Sequence, residues 1–434
     1  MTQYLDKYVL YRRTLFAIFW VWATFGFLQD EFFPFLAGFR SVIYFLLDII
    51  LVLLGCFCFQ RNNSKWIIFF ITYIVIDTIF INGLSIINCV NGLRSFIPFI
   101  IIPSILYYFL KGRNAEDFIN KMDKHLYILL LLQAPCLIFQ FLKYGANDHG
   151  GGTFGNWGSG LATMTIYLVS FYLISKRWDR NNYFKSLLEN KQYILLLIPS
   201  FLNETKVGFI LFGLYFLLLI KFDRQVLFKL LLAIPLLSIG FFILYKVYMT
   251  STESSMEITS IGFYQEYLYQ EDTEDLMMMA EMLADGDFED DEWSIDLARF
   301  TKISLMSTAI EYSGGNILTG LGVSHFKGGT TLAQTEVAKN LPWAFTGTIP
   351  YLYFVVMQLG LLGLAILVAI LVSLFKNFRE VKVRDCYIQF YAIVAFCVIC
   401  CYNDILAVPV FGIIFFYIII SSSNKLTKEI ADKC

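Results

Sequence analysis

Apolar residues in this chain come in long runs rather than in alternation. Ser41 to Phe59, Val226 to Tyr245 and Tyr351 to Phe375 each hold at most one charged residue. At 1.5 Å rise per residue such runs are long enough to cross a hydrocarbon core of about 30 Å as helices. Strands of a membrane barrel would place a polar residue at every second position, and these runs do not. The pattern predicts an all-α polytopic membrane protein with about twelve transmembrane helices, at 14–28, 41–59, 66–81, 96–110, 126–142, 161–175, 192–202, 207–220, 226–245, 351–373, 386–401 and 405–421. The pair at 192–220 has two readings. It is one long span with the polar centre Asn203, Glu204, Thr205 and Lys206, or two short helices meeting at a buried turn.

Between Lys246 and Pro350 a polar stretch interrupts the apolar runs and predicts one large extracytoplasmic loop containing short helices. The chain then divides into transmembrane helices 1–9 over 1–246, the loop over 247–350, and three further spans with a tail over 351–434. Lysine and arginine are retained on the cytoplasmic side during insertion. With both termini inside, 24 of the 33 basic residues fall on that side, and merging 192–220 into one span would invert the three basic clusters that follow. The exceptions are Arg40, Arg94, Lys143, Lys206, Lys246, Arg299, Lys302, Lys327 and Lys339, each a candidate for binding an anion. The first apolar run follows Arg12 and Arg13 and ends at Gln29, Asp30 and Glu31 with no small-residue cleavage site, so it reads as a span rather than a cleaved signal.

Composition narrows the class further. With 58% hydrophobic and 16% charged residues, a soluble globular domain is excluded. Six of the nine cysteines lie inside apolar runs, and the cluster Cys397, Cys400 and Cys401 has no nearby histidine or second pair, so no metal site is expected. There is no Walker element and no basic nucleic-acid face, so neither a cofactor nor a nucleic-acid partner is expected. Net charge is only −2, yet the segment 250–345 carries 17 acids against 4 bases. Most of the acids lie in Glu253 to Asp296, which reads as a solvated face because no cation-ligand spacing is present. Asp48 and Asp77 lie within spans, where a carboxylate is either functional or paired inside the bundle. Asn403 and Asp404 mark the last turn, where capping is a sufficient role.

From Leu297 the text changes character. Ala298-Arg299-Phe300 opens a stretch compatible with a helix to Tyr312. Ser313-Gly314-Gly315-Asn316 is a turn, and Leu318-Thr319-Gly320-Leu321-Gly322 holds glycines that permit close backbone approach or positive φ.

The order of Arg299, a helix, NILTGLGVSHF (Asn316 to Phe326) and a span beginning PYLYFVVMQLGLLGLAIL (Pro350 to Leu367) resembles the O-antigen polymerase and O-antigen ligase superfamily. Two earlier stretches agree in order: GGTFGNWGSGLATM (Gly151 to Met164), and NETKVGFILFGLYFLL (Asn203 to Leu218) where the family has a Ser/Thr-Arg-Gly segment. The resemblance implies an integral membrane glycosyltransferase of the bacterial plasma membrane. It would transfer a glycan chain from undecaprenyl diphosphate to a lipid-linked repeat unit at the outer face, building an O-antigen, capsule or exopolysaccharide. Membrane lipid, a chain-length regulator and a flippase are the implied partners.

A departing lipid diphosphate gains negative charge, so fixed cations stabilise the transition state. Arg94, Lys206 and Arg299 are the candidates for the lipid diphosphate, with Arg299 also catalytic. Competing readings are headgroup snorkelling for Arg94, neutralisation of Glu204 by Lys206, and balance of the preceding acids for Arg299. For the base that deprotonates the acceptor hydroxyl the candidates are His325, Glu204, Glu311 and His149, with His325 and Glu204 placed in the site. The ligase branch carries a histidine just before the Tyr-Leu pair, where this chain has Thr348-Ile349-Pro350, which favours the polymerase branch. The alternatives are an O-antigen ligase and a non-enzymatic flippase of the same lipid-linked oligosaccharides.

Overall fold

The computed structural model describes residues 2–59, 64–111, 114–145, 150–156, 158–179, 182–203, 207–219, 298–326, 335, 337–338, 341–345, 347–375 and 383–422. The expected span 226–245, the acidic stretch 253–296, Glu204, Lys206 and His149 lie outside the described residues. What is described is mostly helical and contains no strand. In chain order the helices are α1 (Thr2–Glu31), α2 (Arg40–Cys58), α3 (Ser64–Val75), α4 (Ile86–Leu93), α5 (Ile97–Ile100), α6 (Ile102–Leu110), α7 (Ala115–Tyr144), α8 (Ser159–Arg177), α9 (Tyr183–Glu189), α10 (Lys191–Leu195), α11 (Val207–Leu219), α12 (Arg299–Tyr312), α13 (Pro342–Phe345), α14 (Tyr351–Phe375), α15 (Val383–Tyr402) and α16 (Pro409–Ser421).

Among the described residues, four helical stretches are long and apolar enough to cross a membrane: Pro34–Cys58, Ile86–Leu110, Ala115–Tyr144 and Tyr351–Leu374. Ile67–Ile81, Phe390–Tyr402 and Pro409–Ser421 are apolar but shorter. The region expected as a span at 192–202 is not one helix. It breaks into α10 and a 3-10 turn over Ile198–Phe201, because Pro199 has no N–H to continue an α-helical ladder. Asn203, at the end of this stretch, is buried.

Two ends of the bundle are distinguished by their ion pairs. At one end Arg12 pairs with Asp117, and Lys176 with Asp123; at the other Glu31 pairs with Lys143 at 2.8 Å. Helices α1 and α7 therefore run parallel, tied midway by Trp20 Nε1 donating to His125 Nδ1 at 2.9 Å. Tyr417 on α16 donates to Asp123 at 2.7 Å, which places the C-terminal end of α16 at the Arg12 end.

At the Asp30 end the glycine-rich segment 150–156 plugs between α1 and α7. Gln133 and Gln140, seven residues apart on one face of α7, both hydrogen-bond to it. Gln133 bonds the Thr153 amide and hydroxyl, and Gln140 the Gly152 amide and carbonyl. Asp30 accepts the Asn156 amide at 2.8 Å. A Cβ on Gly26 would run into the Phe154 carbonyl, so only glycine lets α1 approach this closely. The segment leads directly into α8, whose first turn is thereby fixed.

Candidate functional site

Helix α12 starts at Arg299 and ends as its sequence dictates. Gly314 at φ 76° donates to the Glu311 carbonyl, and Gly315 donates to Ile310, a left-handed glycine stop that satisfies the last carbonyls. The chain then enters the NILTGLGVSHF segment. Instead of standing clear of the bundle as an outer loop would, it inserts into a break in α14. At Gly360, with φ 64° and ψ −172°, α14 leaves the helical conformation, stranding the carbonyls before the break and the amides after it.

The inserted segment satisfies them one by one. Leu321 N–H donates to Met357 at 2.9 Å and Gly322 N–H to Gln358 at 2.9 Å. Leu361 N–H donates to Ile317 at 2.9 Å and Leu362 N–H to Leu318 at 3.1 Å. A third element closes the junction: α3 ends in a π-helical turn, Ile76–Ile81, and Thr78 accepts the Val323 amide at 3.3 Å. Asp77 in that turn is fully buried and takes the Asn82 side-chain amide at 3.3 Å. Non-helical backbone within an apolar layer is tolerated where protein groups satisfy it, as they do here.

His325 closes this segment rather than facing outward. It is 3% exposed. Nε2 stands 2.8 Å from the Leu321 carbonyl, which only accepts, so Nε2 carries the proton. Nδ1 then accepts from the Thr335 hydroxyl at 2.7 Å, while Thr335 accepts the Ala338 amide. Burial pushes its pKa below the ordinary histidine value, opposed by the hydrogen bond to Leu321. Both ring nitrogens are thus engaged in holding the loop.

Arg299 and Lys302 share one face of α12, three residues apart. Arg299 Nε donates to the Tyr402 carbonyl at 3.1 Å, and its guanidinium carbon lies 4.6 Å from the centre of the Tyr402 ring. Lys302 is fully buried and donates to the Thr348 carbonyl at 3.1 Å, just ahead of α14. The sequence singled out Lys302 only as one stray cation of nine; its spacing from Arg299 was the signal that joins them.

The turn after α15 is the hub. Gly160 in the first turn of α8 fits beneath it, where a Cβ would stand 3.0 Å from Asn403 Nδ2 and 3.3 Å from the Tyr402 ring. The same turn of α8 binds Asn203, whose Nδ2 lies 2.9 Å from Thr163 Oγ1 and 3.3 Å from the Ser159 carbonyl. From the other side the Arg94–Phe96 turn packs against Ile405–Ala407.

Arg94 itself is held by Asp48, with Nε 2.8 Å from Oδ2, and lies over the Phe45 ring at 5.0 Å. This gives Asp48 a paired role inside the bundle and turns the Arg94 guanidinium toward α2. Glu311 sits at the opposite end of α12 from Arg299. No group of three or more metal-ligating side chains occurs among the described residues.

No family model matches the chain, and no curated protein matches it.

Proposed function

We propose that this chain is an integral membrane glycosyltransferase of the polysaccharide polymerase type. It transfers a glycan from undecaprenyl diphosphate to a lipid-linked repeat unit at the outer face of the bacterial plasma membrane. The observation that carries the reading is the pair Arg299 and Lys302, two cations on one face of a short helix at the Asp30 end, Arg299 anchored to Tyr402 at the turn that also meets the α8 and Arg94 segments and Lys302 to the Thr348 carbonyl ahead of α14. Preorganised cations are what the developing charge of a diphosphate leaving group requires.

The twelve-span topology with both termini cytoplasmic belongs to this proposal and puts the Asp30 end outside. A flippase must rock one half of the bundle against the other. The four backbone hydrogen bonds that fasten the inserted loop into α14 fit a rigid platform better. The test is elongation of a lipid-linked repeat by purified protein in detergent, where no sidedness exists and a flippase has nothing to do. Arg299→Ala should abolish elongation with membrane abundance unchanged. Absence of elongation by the wild-type protein overturns the reading.

A further inference from the structure

We propose that Tyr73 and Thr78 are positioning residues of the transferase: from α3 they clamp the break in α14, and through it they fix where Arg299 and Lys302 stand. Their role rests on the glycosyltransferase reading and deepens it.

An α-helix pairs each carbonyl with the amide four residues on. Around Gly360 the inserted segment takes those partners instead. Leu321 and Gly322 donate to the Met357 and Gln358 carbonyls, and Ile317 and Leu318 accept the Leu361 and Leu362 amides. The next carbonyl, that of Leu359, is reached from α3: the Tyr73 hydroxyl donates to it at 2.6 Å. Leu359 is fully buried, so its carbonyl draws on protein donors.

Five residues after Tyr73, Thr78 reaches the other side of the same junction. Its hydroxyl accepts the amide of Val323, the residue that follows Gly322, at 3.3 Å. In an α-helix, side chains five residues apart point about 140° away from each other. The π-turn Ile76–Ile81 adds a residue to the turn and lets Tyr73 and Thr78 both meet the junction, one on α14 and one on the inserted segment. A rare turn at this level is thereby accounted for.

The junction and the cation pair belong to one closed ring. Helix α12 carries Arg299 and Lys302 and stops at Gly314; the inserted segment follows and is bonded to α14 across the break. The first half of α14 leads back to Tyr351, and just ahead of it the Thr348 carbonyl takes the Lys302 Nζ at 3.1 Å. Helix α12 also packs against α14. Closely packed elements shift as units, so a slip at the break is passed to Lys302 and to Arg299, three residues away on the same face.

The experiment measures kcat and KM for elongation of a lipid-linked repeat by purified wild type, Tyr73→Phe, Thr78→Val and Thr78→Ser, together with their thermal unfolding midpoints. Misplaced cations weaken an interaction made with the departing diphosphate in the transition state, so the loss falls on kcat. Tyr73→Phe deletes one oxygen and keeps the ring; it is expected to lose about 10-fold in kcat with KM within about twofold of wild type. Thr78→Val should follow it, and Thr78→Ser, which keeps the hydroxyl, should return toward the wild-type rate. In an Arg299→Lys background Tyr73→Phe should cost less than in the wild type, because a lysine lacks the planar fork whose orientation is being lost. A Tyr73→Phe kcat within about threefold of wild type, or a loss that multiplies in full with that of Arg299→Lys, overturns the proposal and leaves the clamp to stability alone. If Tyr73→Phe does not accumulate, the Thr78 variants decide: equal kcat for Thr78→Val and Thr78→Ser overturns the assignment, and recovery in Thr78→Ser alone supports it. Wild-type protein that elongates nothing overturns the transferase reading instead, so the two failures are distinct.

Discussion

Gly320 and Gly360 meet backbone against backbone: a Cβ on Gly320 would stand 2.7 Å from the Gly360 nitrogen and 2.7 Å from the carbonyl carbon of Gln358. One lies in the segment after α12 and the other inside the apolar helix α14, so the contact joins the two motifs that the sequence shows 40 residues apart.

Gly360→Ala is therefore expected to be strongly destabilising. Its φ of 64° with ψ of −172° is a conformation essentially confined to glycine, and the added methyl would run into the Leu318 carbonyl. A loss of about 2–4 kcal/mol follows from strain and broken junction hydrogen bonds together. Gly213→Ala in α11, where nothing lies within 4 Å of the new methyl, should change stability by less than about 1 kcal/mol. Thermal unfolding of the two variants in detergent makes the comparison, and equal midpoints would show that the junction does not hold α14.

Ser324 offers the opposite sign. It is the one non-glycine residue with positive φ among the described residues, at 108°, and its amide is fixed by Gln358 Oε1 at 3.1 Å. Replacing it with glycine removes the conformational penalty, so Ser324→Gly should raise stability by about 1 kcal/mol. A lower unfolding midpoint for this variant would mean that the Ser324 side chain contributes more than its backbone costs.

His325 predicts a pH dependence. Burial depresses its folded-state pKa below the ordinary value of 6.5, so the unfolded chain takes up the proton first as pH falls. The stability this neutral histidine contributes is complete above about pH 6.5, declines below it, and levels off beneath the folded-state pKa. His325→Gln keeps an N–H for the Leu321 carbonyl but cannot be protonated. Unfolding midpoints measured from pH 7.5 downward should fall less steeply in the variant than in the wild type, about parallel curves being the outcome that removes His325 as an acid-sensitive clasp.

Much of this arrangement was legible in the residue pattern, and the part that was not has a common cause. The α12 boundaries were readable because Arg299 opens and Gly314 closes the helix by local rules. The break in α14 was not, because Gln358-Leu359-Gly360-Leu361-Leu362 is an apolar run in which a helical glycine and a broken one look alike. Only the distant partner segment decides between them. Gln133 and Gln140 carried a readable sign, two amides on one face of an apolar helix, whose partner at Gly152 and Thr153 becomes evident only in three dimensions. Asp404 read as a cap because a turn between two helices is where aspartate caps; its side chain does not cap there.

The grip of Tyr402 on Arg299 separates charge from geometry. Tyr402→Phe retains both the ring beneath the guanidinium and the backbone carbonyl, and should elongate lipid-linked repeats close to the wild-type rate. Tyr402→Ala removes the ring, worth about 0.5–2 kcal/mol, and should lower kcat/KM by roughly 2- to 30-fold as Arg299 loses its orientation. Arg299→Lys keeps the charge without the planar fork, so its loss should fall between those of Tyr402→Ala and Arg299→Ala. Chain-length distributions from the purified variants, resolved by gel electrophoresis, give the order. If Arg299→Lys equals wild type while Tyr402→Ala does not, the positive charge alone does the work and the Tyr402 contact serves the fold instead.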